Sequence, residues 1–132
     1  MNSLPEVSGL NYSPPAPADA VAALEQRLGQ PLPSEYRQFL LLANGASLSG
    51  GLLLYSTGEI EERNSTWQVP VYAPDYLAIG DTGAGDAILI HQSSRNSTLF
   101  IVGTGSMTPN MMRELGPSIE HWLNGGCEVP ED

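Results

Sequence analysis

The chain of 132 residues contains no lysine. That absence excludes several chemistries outright. A phosphate-binding loop of the GxxxxGK[ST] kind cannot be written without lysine. Nor can a Schiff-base amine or a kinase-type strand lysine. Cysteine is nearly missing too: Cys127 stands alone, so no intrachain disulfide can form. It reads as a free thiol rather than a nucleophile or ligand. His91 and His121 are the only imidazoles. Zinc needs three or four ligands, and the Cys/His spacing supplies no such set. Long apolar runs are absent as well. Residues 52–55 and 87–90 are strand-sized, against about 20 residues for a membrane span. The opening MNSLPEVSGLNYSPP has neither a basic n-region nor an apolar h-region. The expectation is a cytoplasmic protein without a signal peptide. The N-x-S/T sequons at Asn11, Asn64 and Asn96 then carry no chemistry.

What is abundant is negative charge. Five arginines face fifteen acidic residues, a formal net charge of −10. Such a chain is repelled by nucleic-acid phosphates and anionic membranes. No direct nucleic-acid or membrane partner is expected; a basic protein partner is what this charge attracts. The bland alternative is that the acidity serves solubility alone. Hydrophobic residues make up 41% of the chain, which argues against global disorder. The length fits one domain over residues 1–132.

Residues 1–17 hold Pro14, Pro15 and Pro17 and are expected to be irregular. Asp19 is placed to cap a helix over 20–28, where Val21, Leu24 and Leu28 recur on one face. Gly29 stops it and Pro31 follows. A second helix starts at Pro33 or Ser34, with Tyr36, Phe39, Leu40 and Ala43 inward. Asn44-Gly45 is expected to end it in left-handed geometry. After Gly50-Gly51 the period changes, and residues 52–55 read as a strand. Residues 59–64 are open between a short helix and a loop, and Pro70 argues against a central strand over 67–72. Residues 76–80, 86–92 and 98–102 read as strands, and 118–123 as a last helix. The tail over 127–132 is expected to fray. This order is α+β rather than alternating βαβ.

Candidate chemistry is sparse. FIVGTGSMTP, residues 100–109, offers G-x-G after a strand. It lacks the further glycine and opening helix of a dinucleotide site, and reads as a tight turn. GDTGAGD, residues 80–86, could wrap a cation but lacks EF-hand spacing. A Gly/Asp hairpin turn explains it as well. No G-x-S-x-G elbow accompanies the two histidines. Asp81 and Asp86 could in principle do acid–base work with a histidine in a small hydrolase. Glu59, Glu61 and Glu62 form an acidic cluster that is either a solvated face or a landing site for a basic partner. No catalytic residue, cofactor or metal is assigned.

Two segments together resemble a known family. LEQRLGQPLPSEYRQFLLLANG, residues 24–45, is similar to the opening signature lE..LG..LP..Y..FL...NG of the SUKH superfamily, the homologues of fungal Smi/Knr cell-wall regulators. SPPAPADAVAALE, residues 13–25, fits the Pro-then-helix approach to it. YLAIGDTGAGDAILI, residues 76–90, resembles the family's strand, G-[DE]-x-G-x-G-[DN], strand element. Leu32, Pro33, Tyr36, Phe39, Asn44 and Gly45 match the first motif; Gly80, Asp81, Gly83, Gly85 and Asp86 match the second. His91 departs from it, since many members are acidic there. SIEHWLNG, residues 118–125, fits the usual last helix loosely.

The resemblance implies an α+β fold: a central antiparallel-rich β-sheet with an N-terminal helix pair and a C-terminal helix packed on it. It implies a non-enzymatic protein. Bacterial members are mostly immunity proteins that bind and neutralise a polymorphic toxin domain, often a nuclease. Fungal members act as regulatory interaction modules. On the first reading the partner is a basic, cognate toxin domain whose active site is occluded. Charge and predicted exposure select Glu59, Glu61, Glu62, Asp75, Asp81 and Asp86 as its binding residues. Residues 46–73 follow no family pattern, and partner specificity would sit in such a surface.

Overall fold

The computed structural model describes residues 3–92 and 97–130. Helix α1 (Ala18–Leu28) follows Pro17, and α2 (Ser34–Leu42) follows Pro33. A proline there has no N–H to leave orphaned at the helix start. Asp19 is not the cap. It lies in the first turn of α1, where its charge meets the positive end of the helix dipole. Gly29 ends α1 at φ 79, as its position predicts.

The end of α2 departs from expectation. Ala43 leaves the helix extended, at φ −152, and positive φ arrives only at Gly45. Asn44 has another task. Its Oδ1 accepts from the Thr57 N–H at 2.8 Å, and its own N–H donates to the Pro14 carbonyl at 2.9 Å. The stiff turn between α1 and α2 is held by one carboxylate. Glu25 Oε2 accepts from the Leu32 N–H at 2.6 Å and from Arg37 Nη2 at 2.6 Å. Burial opposes that charge, but the arginine and the backbone N–H outweigh it, so the Glu25 carboxyl lies below its ordinary value.

Seven antiparallel strands form a single meander in chain order: β1 (Leu10–Tyr12), β2 (Ala46–Leu48), β3 (Leu53–Leu54), β4 (Tyr76–Asp81), β5 (Asp86–His91), β6 (Leu99–Gly103) and β7 (Arg113–Gly116). The helix pair lies between β1 and β2. Helices α3 (Ile60–Thr66) and α4 (Val69–Tyr72) lie between β3 and β4, and α5 (Ile119–Asn124) follows β7. The fold is therefore α+β, with an antiparallel sheet carrying the N-terminal helix pair and a C-terminal helix. Of residues 59–64, open in the sequence, Glu59 stands at the N-cap and 60–64 enter α3. Ser118 caps α5 by accepting from the His121 N–H at 3.0 Å, and Glu35 of α2 accepts from the Ile119 N–H at 2.5 Å.

Three strands escaped the sequence pattern. The lead-in over 1–17, expected to be irregular, contains β1, which pairs with β2. β2 and β7 are too short to show a period of two. The tail is also more ordered than expected. Cys127 is buried, Val129 packs on the core, and Trp122 Nε1 donates to the Glu128 carbonyl at 2.8 Å. Residues 131–132 lie outside the described residues.

Tyr36, Phe39 and Leu40 of α2 are buried with Ile88, Leu89 and Ile90 of β5 and Leu99 of β6 in one core. Each fully buried aliphatic side chain there contributes about 1.5–3 kcal/mol.

The centre of the sheet is irregular. The β4–β5 register shifts between Ala78 and Gly80. β3 pairs with β4 only at Gly80 and Asp81. The approach is so close that a Cβ on Gly80 would stand 2.4 Å from the Leu53 carbonyl oxygen. At Ala78, the Asn64 side chain of α3 takes the place of a neighbouring strand. Its Oδ1 accepts from the Ala78 N–H at 2.8 Å, while Nδ2 donates to the Ala78 carbonyl at 2.9 Å and to Ile60 at 2.8 Å. Asn64 is buried, so this sequon is structural.

Asn64→Leu keeps the branched shape, in a somewhat larger side chain, but strands the N–H and C=O of Ala78. It should lower stability by about 2–4 kcal/mol, read as a lower urea midpoint. Glu25→Gln tests the clamp through pH. A folded pKa below the unfolded one stabilises above the unfolded value and is lost as pH falls through the folded value. The stability gap between wild type and Glu25→Gln should hold at neutral pH and shrink as pH drops below the ordinary glutamate value of about 4.3. Chemical denaturation across pH measures it.

Candidate functional site

The six carboxylates selected by charge do not form one patch. Asp81 is half-buried and held by two donors. Its Oδ2 accepts from the Tyr55 hydroxyl at 2.6 Å, and its Oδ1 accepts from the Gly83 N–H at 2.9 Å. Burial, then this bond to a carboxylate, pushes the Tyr55 hydroxyl well above its ordinary pKa. Thr82 Oγ1 accepts from the Ala84 and Asp86 N–H groups at 3.2 and 3.4 Å. The GDTGAGD segment is thus a hairpin turn closed by its own side chains. Asp86 begins β5 and lines a cleft of about 450 Å³ with Leu48, Leu52, Thr82 and Cys127. Asp75 precedes β4, so the length of that strand separates it from Asp81.

The glutamates occupy two neighbourhoods. Glu59 is half-buried, accepts from the Ser56 N–H at 3.0 Å, and lines a cleft of about 460 Å³ beside Pro14, Pro15 and Asn44. Glu61 and Glu62 are exposed on α3. Glu61 pairs with Arg27 of α1. Glu62 lies 3.7 Å from Arg63 Nε and accepts from the Thr66 hydroxyl at 3.3 Å. Exposed pairs like these hold weakly and exchange with solvent ions.

A second cleft of about 440 Å³ runs beside Glu61. Leu28 of α1, Asn64 and Ser65 of α3, and Gln68, Pro70 and Val71 complete it. Val71 is 69% exposed and Tyr72 is 51% exposed, two large apolar side chains side by side on α4. Gln68 makes the corner between α3 and α4 at φ 54, ψ 38. A non-glycine residue in that region costs about 1–3 kcal/mol and persists only where surrounding structure demands it. Here Val69 is fully buried behind it and anchors α4.

Sequence reasoning missed Gln68, Val71 and Tyr72. The available signal was VPVY itself, residues 69–72: apolar, yet matching neither the helical nor the strand period.

The residues named for hydrolysis do not assemble. His91 ends β5 while Asp86 begins it and Asp81 pairs with Ala87. Five strand steps at about 3.3 Å place His91 roughly 16 Å from Asp86. His91 stacks edge-on against Tyr76, with centroids 5.0 Å apart, and its Nδ1 is buried without a hydrogen-bond partner among the described residues. His121 is exposed on α5. Among the described residues, no group of three or more His, Cys, Asp or Glu side chains could hold a metal ion. Among them, too, no helix is long and apolar enough to cross a membrane.

An antiparallel meander bearing a helix pair, a helical insert and a C-terminal helix defines an α+β scaffold. The chain belongs to the SMI1 / KNR4 family (SUKH-1), whose model matches residues 15–125. It is also similar to the uncharacterized protein YnaB of Bacillus subtilis (strain 168), 29% identical over 97 residues. That match covers 74% of this chain and 65% of YnaB.

Burial pushes the Cys127 thiol up to about 11. The reactive thiolate is then scarce at neutral pH. An aromatic disulfide reagent should leave the folded protein untouched and titrate one thiol after unfolding in urea, followed by absorbance.

Proposed function

We propose that this chain is an immunity-type protein that binds a basic toxin domain and blocks its active site. The observation that carries the reading is the exposed pair Val71 and Tyr72, set beside Glu61 and Glu62 on one helical insert. An aromatic and aliphatic anchor with charges at its rim is the usual anatomy of a protein-binding surface. Membership of the SMI1 / KNR4 family supports a protein partner. The net charge of −10 supports a basic one. A nuclease groove built for phosphates would accept the carboxylates of α3 in place of nucleic acid. Within this surface the apolar pair would hold the complex, and Glu61 and Glu62 would steer its formation.

Asp75, Asp81 and Asp86 have lesser parts in this reading. Asp81 serves the hairpin, Asp86 begins β5, and Asp75 stands exposed in the link between α4 and β4. The regulatory-module alternative shares the surface and differs in having a non-toxic partner.

Capture from lysate of the source cell, with mass spectrometry, tests the reading. A basic protein whose toxicity this chain suppresses is the expected result; a non-toxic partner alone would replace it with the regulatory module. With that partner in hand, Glu61→Arg combined with Glu62→Arg should slow association by about tenfold or more at low salt, and less at high salt. Tyr72→Ala should instead speed dissociation. Unchanged kinetics in both variants would remove the insert from the interface.

A further inference from the structure

The cleft that contains Glu59 shares no lining residue with the one beside Val71. Its walls are Pro14 and Pro15 on one side and Leu53 and Leu54 of β3 on the other. Ser13, Ser47 and Ser56 place three hydroxyl groups along it. Glu59 is its only ionisable lining residue. Arg27 and Arg37 pair with Glu61 and Glu25, and Arg63 lies one helical turn from Glu59, with its Nε 3.7 Å from Glu62. The Glu59 charge also bears on two inner phenols. After burial, it is the further cause that raises Tyr36, and it contributes at Tyr55.

We propose that this cleft receives the guanidinium of an arginine side chain carried by a protein partner, with Glu59 as its counter-charge. A single carboxylate is too few oxygens for a hard metal cation, which takes six or so. An organic cation needs one charge and several neutral acceptors. A guanidinium carries five N–H donors in a flat fork, and Glu59 with the three serine hydroxyls offers acceptors spread along the groove. A volume of about 460 Å³ exceeds what one side chain fills. It leaves room for the peptide bonds on either side of such a side chain.

Nα-acetyl-arginine amide, titrated into the 15N-labelled chain and followed by NMR, tests the assignment without any toxin. The amides of Asn44, Ser56 and Thr57 should shift and saturate. Nα-acetyl-citrulline amide, which keeps the shape and loses the charge, should move them little. Glu59→Gln retains an acceptor for the Ser56 N–H and should weaken the arginine titration by about tenfold. Ser47→Phe, which fills the groove from an exposed position, should abolish it. Glu61→Gln should leave it unchanged. Absence of saturable shifts, equal shifts with citrulline, or indifference to both Glu59→Gln and Ser47→Phe would overturn the proposal. Free arginine binding at least about tenfold more tightly than the blocked form would overturn the assignment to a side chain.

Discussion

One buried amide decides how the α3–α4 insert stands against the sheet. The Asn64 side chain gives the Ala78 backbone both hydrogen bonds that a neighbouring strand would have made. β3 is too short to do so, since it pairs with β4 only at Gly80 and Asp81. Without Asn64, the buried N–H and C=O of Ala78 would lack these partners, an expensive condition in a dry interior. With it, α3 is locked against the sheet, and its exposed side must carry Glu61 and Glu62. The left-handed corner at Gln68 then turns the chain so that Val69 goes inward while Val71 and Tyr72 go outward. Surface geometry here is a consequence of a backbone accounting problem solved in the core.

Acidic residues in this chain divide by what they touch. Glu25 holds the α1–α2 turn, Glu35 holds the start of α5, and Asp81 holds Tyr55 and the β4–β5 hairpin. These are structural anions with donors fixed around them. Glu61 and Glu62 are exposed, and their arginine contacts are of the weak surface kind. A net charge read from composition cannot make this division, because it counts both kinds alike.

The helix pair, the three long strands and the last helix were legible because each shows a period and a stop signal. Val21 and Leu24 repeat at helical spacing, and Gly29 closes the run. The missing strands β1, β2 and β7 have three or four residues each, too few for alternation to be seen. Their pairing is set by tertiary neighbours: Leu10 opposite Leu48, Phe100 opposite Glu114. The same limit applied to the candidate site. Charge made Glu61 and Glu62 visible in the sequence. Val71 and Tyr72 lie in a stretch that the sequence showed only as unsuited to a central strand, and the corner at Gln68 turns them to solvent. Asn64 read as a polar loop or helix residue, since nothing local reveals that Ala78 lacks a strand beside it.

Because the sheet runs in chain order, α3 and α4 form a detour between two strands joined at two register pairs and by the Tyr55 N–H on the Ile79 carbonyl. A detour of this kind is modular. Its outward residues can be rewritten while the meander keeps its register, provided that one amide still answers Ala78 and one small residue still lets β3 close on Gly80. The scaffold thereby separates inheritance of the fold from inheritance of the insert's outward face: a lineage could rewrite that face by drifting at a few exposed positions, leaving the architecture unchanged.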